Sequence, residues 1–396
     1  MSFENTNLLD PATHTGNPEP FYEWHRDHEP LYWDATSELW SVARYEDVIF
    51  VSKNPQIFCS GKGVVPKLSL EDWPEDAMIN KDGDAHTKQR GLVSKGFTPR
   101  RVSCMGERAT TIVTELIDAF IDDGEADLVK QFARPLPMYI IGEMLGYPRD
   151  RMDEVLNWTD IYVDAGQGPD FITEEVQESF ANFVEFHEEL LEQRKAERGE
   201  DLISVWLDAE LDGEKLSEDT LMFEHNLLLV GGSETTRNAI SYGLMKLIEH
   251  PEQMQWLSEN LDDADALATA VEEMIRYTSP FVRMRRTATQ DYEWHGKTIK
   301  EGDEILMLYP AANRDPRVFK DPQRFDIRRQ SDQPAVSFGY GKHFCLGASL
   351  ARLEARVAVK HLLSRVKDLQ LTGEPKLHPS CFTNGLETLP VSFSKR

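Results

Sequence analysis

The run from Glu218 to His250 constrains this chain more than any other. Apolar residues recur at helical spacing from Leu227 to Val230 and again at Ile240, Leu244, Leu247 and Ile248, so the run reads as one long buried helix. Two adjacent glycines, Gly231 and Gly232, sit in its middle, where each costs about 1 kcal/mol relative to alanine. A helix that keeps its apolar pattern on both sides of such a pair offers a groove in which a flat body can lie close to the backbone. An acid and a hydroxyl, Glu234 and Thr235, follow directly. A threonine in a locally opened helix bonds a ligand or water instead of its own backbone, and an acid beside it can feed protons. A bare Gly-Gly pair more often marks a helix break or tight packing, so this stretch needs support from elsewhere.

Support comes from VSFGYGKHFCLGASLAR, residues 336–352. Gly339, Gly341 and Gly347 surround Cys345, and a good helix former begins behind it at about Leu346. A lone cysteine is usually a small buried hydrophobe. Here glycine frees the backbone to aim several N–H groups at one sulfur, and the helix dipole adds positive charge. Both favour thiolate. Zinc and iron–sulfur sites need three or four ligands, commonly clustered cysteines. The other cysteines lie far off at 59, 104 and 381, which leaves a large planar metal cofactor needing a single protein ligand.

Composition narrows the class. The chain has 396 residues and a formal net charge of −26, which disfavours nucleic acid and anionic membrane as partners. No run approaches the roughly 18 apolar residues of a membrane span, and the polar, acidic N-terminus is no signal peptide. Scattered cysteines without a CxxC pair fit a reducing, cytoplasmic location. Short strand-like pieces are expected in 18–60 and 281–310, a long irregular loop over 61–84, and helix from Ala85 to His250 almost throughout, with a turn at 212–214. Helix is expected again over 252–277 and from Cys345 to about Lys367, with a hairpin at 383–385. The sum is a mainly α protein with small β-sheets and no obvious domain break.

Two weaker pairs complete the pattern. Glu273 and Arg276 share a helix face, as do His86 and Arg90. Alone, each is ordinarily a surface pair. An Arg fork beside a histidine also suits a carboxylate.

Taken in order, these stretches resemble the cytochrome P-450 family of haem-thiolate monooxygenases. FGYGKHFCLG (338–347) is similar to the family's cysteine-ligand loop, GGSETT (231–236) to its oxygen-binding helix segment, and EMIR (273–276) to its Glu-x-x-Arg helix. DPQRF (321–325) and NRDP (313–316) are also familiar from bacterial members. The resemblance implies one domain over 1–396, with a smaller β-rich N-terminal lobe and a larger helical lobe. Haem b (iron protoporphyrin IX) would lie between the long distal helix and the proximal cysteine loop. It implies Cys345 as iron ligand, with Phe338 and Gly347 beside it, and His86, Arg90, Arg286 and His343 on the haem propionates. Arg286 is preferred to Arg285 from its distance to DYEWHG (291–296). Thr235 and Glu234 would hold oxygen and relay protons. Glu273, Arg276 and Arg324 would form a structural charge network.

By the same resemblance the reaction uses O2 and two electrons and puts one oxygen atom into a lipophilic substrate. The thiolate favours O–O cleavage. The chain contains no G-x-G-x-x-G, so electrons are expected from a separate ferredoxin and its NAD(P)H-dependent reductase, docking on Lys342, Arg352 and Arg356. Substrate contacts would include Val64, Val65, Leu68, Trp73, Val230, Gly231, Phe281, Val282 and Phe382. This mostly apolar set, and the likeness of GGSETTR and NGLETLPV to bacterial hydroxylases, point to a steroid, terpenoid or fatty acid. Arg283 or Arg285 could meet a polar head group. A haem sensor or carrier without turnover, or a redox-neutral isomerase or dehydratase, are the alternatives. Substrate-dependent consumption of reduced nicotinamide separates the first from a monooxygenase, and activity without reductant identifies the second.

Overall fold

The structure is a computed structural model that describes residues 3–70, 75–211 and 213–396. Trp73 lies outside the described residues. The long apolar run forms a single helix, Glu218–Glu249, of 32 residues, about 48 Å at 1.5 Å per residue. Ser217 caps its N-terminus, its hydroxyl accepting from the Thr220 N–H at 3.0 Å.

Around this helix pack Pro99–Asp118, Pro135–Leu145, Ala264–Thr278 and Ala348–Arg365, which share the largest apolar core with it. The helix expected over 252–277 is two helices, Pro251–Glu259 and Ala264–Thr278. The break follows from Asp263, whose side chain accepts from the Asp265 and Ala266 N–H groups and starts a second helix.

A five-stranded sheet builds a separate apolar core. Its order is Leu31–Asp34, Leu39–Val42, Glu304–Leu308, Arg283–Ala288 and Phe58–Cys59. Strands remote in sequence therefore build one sheet, with Leu39–Val42 running parallel to Glu304–Leu308. The HGKT turn carries His295 and Gly296 at φ +48° and +74° between Tyr292–Trp294 and Lys297–Ile299. The tail makes no tight hairpin at 383–385. Lys376–Leu377 pairs with Leu386–Thr388, and the wider loop between them is pinned by Thr383 bridging Phe281 and by the Asn384 N–H donating to the Pro280 carbonyl. That loop delivers Phe382 to the interior.

Candidate functional site

One cavity joins the middle of the central helix to the cysteine loop. Val230, Gly231, Gly232, Thr235 and Thr236 line one wall, and Phe338, Gly339, His343, Cys345 and Gly347 the other. The loop owes its shape to Gly339 and Gly341, at φ +70° and +74°. A Cβ on Gly341 would meet the Ser52 carbonyl oxygen at 2.9 Å. The Cys345 N–H donates to the Phe338 carbonyl at 2.8 Å, closing the turn. Behind it, Ala348–Arg365 begins without a side-chain cap, and the N–H groups of Gly347 and Ala348 face the Cys345 sulfur.

Burial pushes the Cys345 thiol up. Those N–H groups, with Arg90 and Arg352 nearby, pull it down, and burial outweighs them. The loop and helix dipole thus do not by themselves produce the thiolate expected from the sequence. A metal cation on the sulfur tips the balance, because a coordinating thiol is deprotonated outright.

His86, Arg90, Arg286 and His343 converge on the same cavity from three separate parts of the chain. The His86 and His343 ring centroids are 4.1 Å apart. Burial and the neighbouring His343 and Arg90 lower His86 to about 4, and its buried Nε2 has no hydrogen-bond partner. Burial likewise lowers Arg286. A donor cluster of this kind, with His86 and Arg286 buried and Arg90 and His343 half-buried, suits the two propionates of a haem seated on Cys345, so the donor set fits the group. Arg285 is used otherwise. Its guanidinium pairs with Glu304 at 2.7 Å and donates to the carbonyls of Gly63, Val65 and Leu68, tying down the 62–68 loop. Arg283 is fully buried and donates to the Gln167 carbonyl and Cys381 sulfur, away from the cavity lining.

On the central helix Thr235 lines the cavity, but its hydroxyl donates to the Gly231 carbonyl at 2.8 Å. The helix is not opened there; threonine bonds back one turn, as it commonly does in helix interiors. Glu234 is buried and absent from the cavity wall. Its Oε1 accepts from Asn238 at 2.9 Å and from Arg237 at 2.5 Å, and Arg237 also pairs with Asp160. Burial raises Glu234, against the pull of Arg237.

Other expectations are corrected. Glu273 and Arg276 form a buried pair at 2.7 Å, but the third member is Arg329, whose Nε lies 3.0 Å from Glu273 Oε2. The Arg324 side chain is exposed and only its carbonyl joins the network. Arg352 is no free surface charge: it pairs with Glu272, Nη2 to Oε2 at 3.0 Å, with its guanidinium 4.4 Å above the Phe338 ring. Val64, Val65, Leu68, Phe281 and Phe382 line the cavity, whereas Val282 does not, because neighbouring residues of an extended segment face opposite ways. Cavity residues missed in the sequence include Glu75, Asn226, Tyr309 and Glu354. Asn226, directly before the apolar stretch Leu227 to Val230, was the one signal available.

The comparisons agree with this geometry. The Cytochrome P450 family model matches residues 7–379. A steroid C26-monooxygenase of Mycolicibacterium smegmatis is 37% identical over 383 residues, covering 96% of this chain and 93% of that protein. A methyl-branched lipid omega-hydroxylase of Mycobacterium bovis is 40% identical over 370 residues, covering 90% and 84%. The solved structure of a cytochrome P450 from Chondromyces apiculatus superposes with a TM-score of 0.88 at 32% identity, covering all of both chains. No helix among the described residues is long and apolar enough to cross a membrane. The chain belongs to the cytochrome P450 family, as a haem b-dependent monooxygenase.

Proposed function

We propose that this enzyme hydroxylates an unactivated C–H of a steroid, a terpenoid or a fatty-acyl chain, with Cys345 as the iron ligand. The carrying observation is the single cavity that sets Cys345 opposite Gly231 and Thr235 and continues between Val64, Leu68, Phe281 and Phe382. Haem, when bound, supplies the oxygen chemistry. The chain supplies the rest. His86, Arg90, Arg286 and His343 hold the propionates, and Gly231, with open space where a Cβ would stand, lets a flat ring system approach the helix, while Gly232 admits Ile141 of the neighbouring helix. Thr235 Oγ1 is positioned to exchange its Gly231 bond for a water. Glu234, once its carboxylate leaves Arg237 and takes up a proton from solvent, hands that proton to such a water. The apolar wall excludes bulk water. The names of the two relatives, a steroid and a branched-lipid hydroxylase, favour the same substrate range.

Electrons come, on this reading, from a separate ferredoxin and reductase in the cytoplasm. The docking face includes exposed Lys342 and Phe344, which is 40% exposed and adjacent to Cys345. Arg352 and the half-buried Arg356, both beside Glu272, contribute less free charge.

The test is the absorption spectrum of the reduced protein with carbon monoxide, wild type beside Cys345→Ala. A strongly red-shifted Soret band that disappears in the variant supports thiolate ligation by this residue. A band typical of histidine ligation, or one unchanged in the variant, overturns it. Product analysis with surrogate redox partners then tests hydroxylation.

A further inference from the structure

The cavity wall is mostly apolar but includes polar side chains that the reaction does not use, Asn226 and Glu75 among them. Asn226 lies on the central helix nine residues before Thr235, about 14 Å along the axis. Its Oδ1 is buried without a hydrogen-bond partner, and the residue lines the cavity. Glu75 lines the same cavity. Its carboxylate accepts from Asn80 Nδ2 at 2.9 Å, and among the described residues no cation pairs with it.

Asn226 is on the central helix, and the segment of Glu75 is tied to the same stretch of that helix. The segment carrying Glu75 is strapped down by the Met78 N–H donating to Glu224 Oε1 at 2.5 Å and by the Thr220 hydroxyl donating to Asp76. Glu75 therefore sits beside the N-terminal half of the helix, at the end of the cavity away from Thr235.

We infer that Glu75 and Asn226 receive an alcohol carried by the substrate at the end remote from the carbon that is oxidised. This rests on the cavity being the substrate site. Both side chains present acceptors, and a buried acceptor without a donor is costly. A hydroxyl supplies the donor, and its own oxygen can take the Asn226 amide hydrogen. An alkane leaves the Asn226 acceptor unmatched. Burial already raises Glu75, so an ionised carboxylate brought beside it, with no cation among the described residues to pair with it, is costly. The lipophile is therefore an alcohol, such as a hydroxysteroid, in preference to a free fatty acid, and oxidation falls on the far end of its skeleton.

The experiment uses the haem-loaded enzyme titrated with dodecan-1-ol, dodecanoic acid and dodecane, and with a 3-hydroxysteroid and its 3-deoxy analogue. Affinity is read from haem absorption and from tryptophan fluorescence. The alcohol binds about tenfold or more tightly than either partner compound in the wild type. Glu75→Leu and Asn226→Leu each remove most of that preference, while Glu75→Gln keeps alcohol binding and lets the acid bind better. Acid binding as tightly as alcohol in the wild type, or an alcohol-to-alkane ratio unchanged in Glu75→Leu, overturns the inference. If the lipophiles bind without head-group preference, this inference alone fails. If none binds to a protein with a normal carbon monoxide spectrum, the substrate reading of the cavity fails with it.

Discussion

Arg237 donates to Glu234 Oε1 at 2.5 Å across one turn of the central helix and holds that carboxylate away from the cavity faced by Thr235. The acid is thus stored as an ion pair rather than presented to the reaction. Proton delivery then requires the carboxylate to leave Arg237 or to work through water. Glu234→Gln keeps the shape and an acceptor for Arg237 but cannot release a proton. Turnover with surrogate redox partners falls about 100-fold, the solvent isotope effect rises, and substrate affinity stays within about threefold. Unchanged turnover removes Glu234 from the relay.

The Glu273 network separates two neighbouring arginines. Arg329 contacts Glu273 and donates to the carbonyls of Lys320, Asp321 and Arg324, whereas the Arg324 side chain points outward. Arg329→Ala leaves a buried carboxylate one partner short and costs about 2–3 kcal/mol. Arg324→Ala costs no more than about 0.5 kcal/mol, as an exposed substitution should. Urea denaturation of the haem-loaded variants measures both. Equal losses would mean that the network has been misassigned.

What was legible in the sequence tracks how local each feature is. The long helix follows from its own periodicity, and the cysteine loop from three glycines around one thiol. His86 and Arg90 were legible because they share a helix, His343 because it lies in the cysteine-loop motif, and Arg286 only from its distance to DYEWHG. Arg329 was missed because 321–330 is irregular backbone, where no period says which arginine turns inward. Val282 was misread because alternation in an extended segment is settled by its partners, here Phe382, whose carbonyl accepts the Val282 N–H at 2.8 Å. The turn of Glu234 away from the cavity depends on Asp160 and Arg237 meeting across 77 residues.

Two glycines of the cysteine loop separate backbone strain from contact. Gly339 and Gly341 both have positive φ, but a Cβ on Gly339 has nothing nearer than 3.7 Å, while one on Gly341 runs into the Ser52 carbonyl at 2.9 Å. Gly339→Ala costs about 1–2 kcal/mol from the left-handed conformation alone. Gly341→Ala adds a clash with backbone that cannot rotate away, so the loop shifts. It loses haem faster in transfer to apomyoglobin and denatures at lower urea than Gly339→Ala. The reverse order would show that contact with Ser52 does not shape the loop.

Glu224 makes stability depend on pH. It is 1% exposed, its Oε1 accepts from the Met78 N–H and from Gln89 at 2.6 Å, and its Oε2 has no partner. Burial raises it from 4.5 to about 7 against the pull of those two donors. Between these values the native protein keeps a proton that the unfolded chain has lost. Each rise in pH through that window therefore favours unfolding, and the loss is complete above about 7. The shift corresponds to at most about 3–4 kcal/mol. Glu224→Gln keeps the acceptor for Met78 and Gln89 without the titration. Its unfolding free energy in urea loses this pH 5 to pH 8 decline, and it exceeds the wild type at pH 8. A decline as steep as that of the wild type would place the titrating group elsewhere.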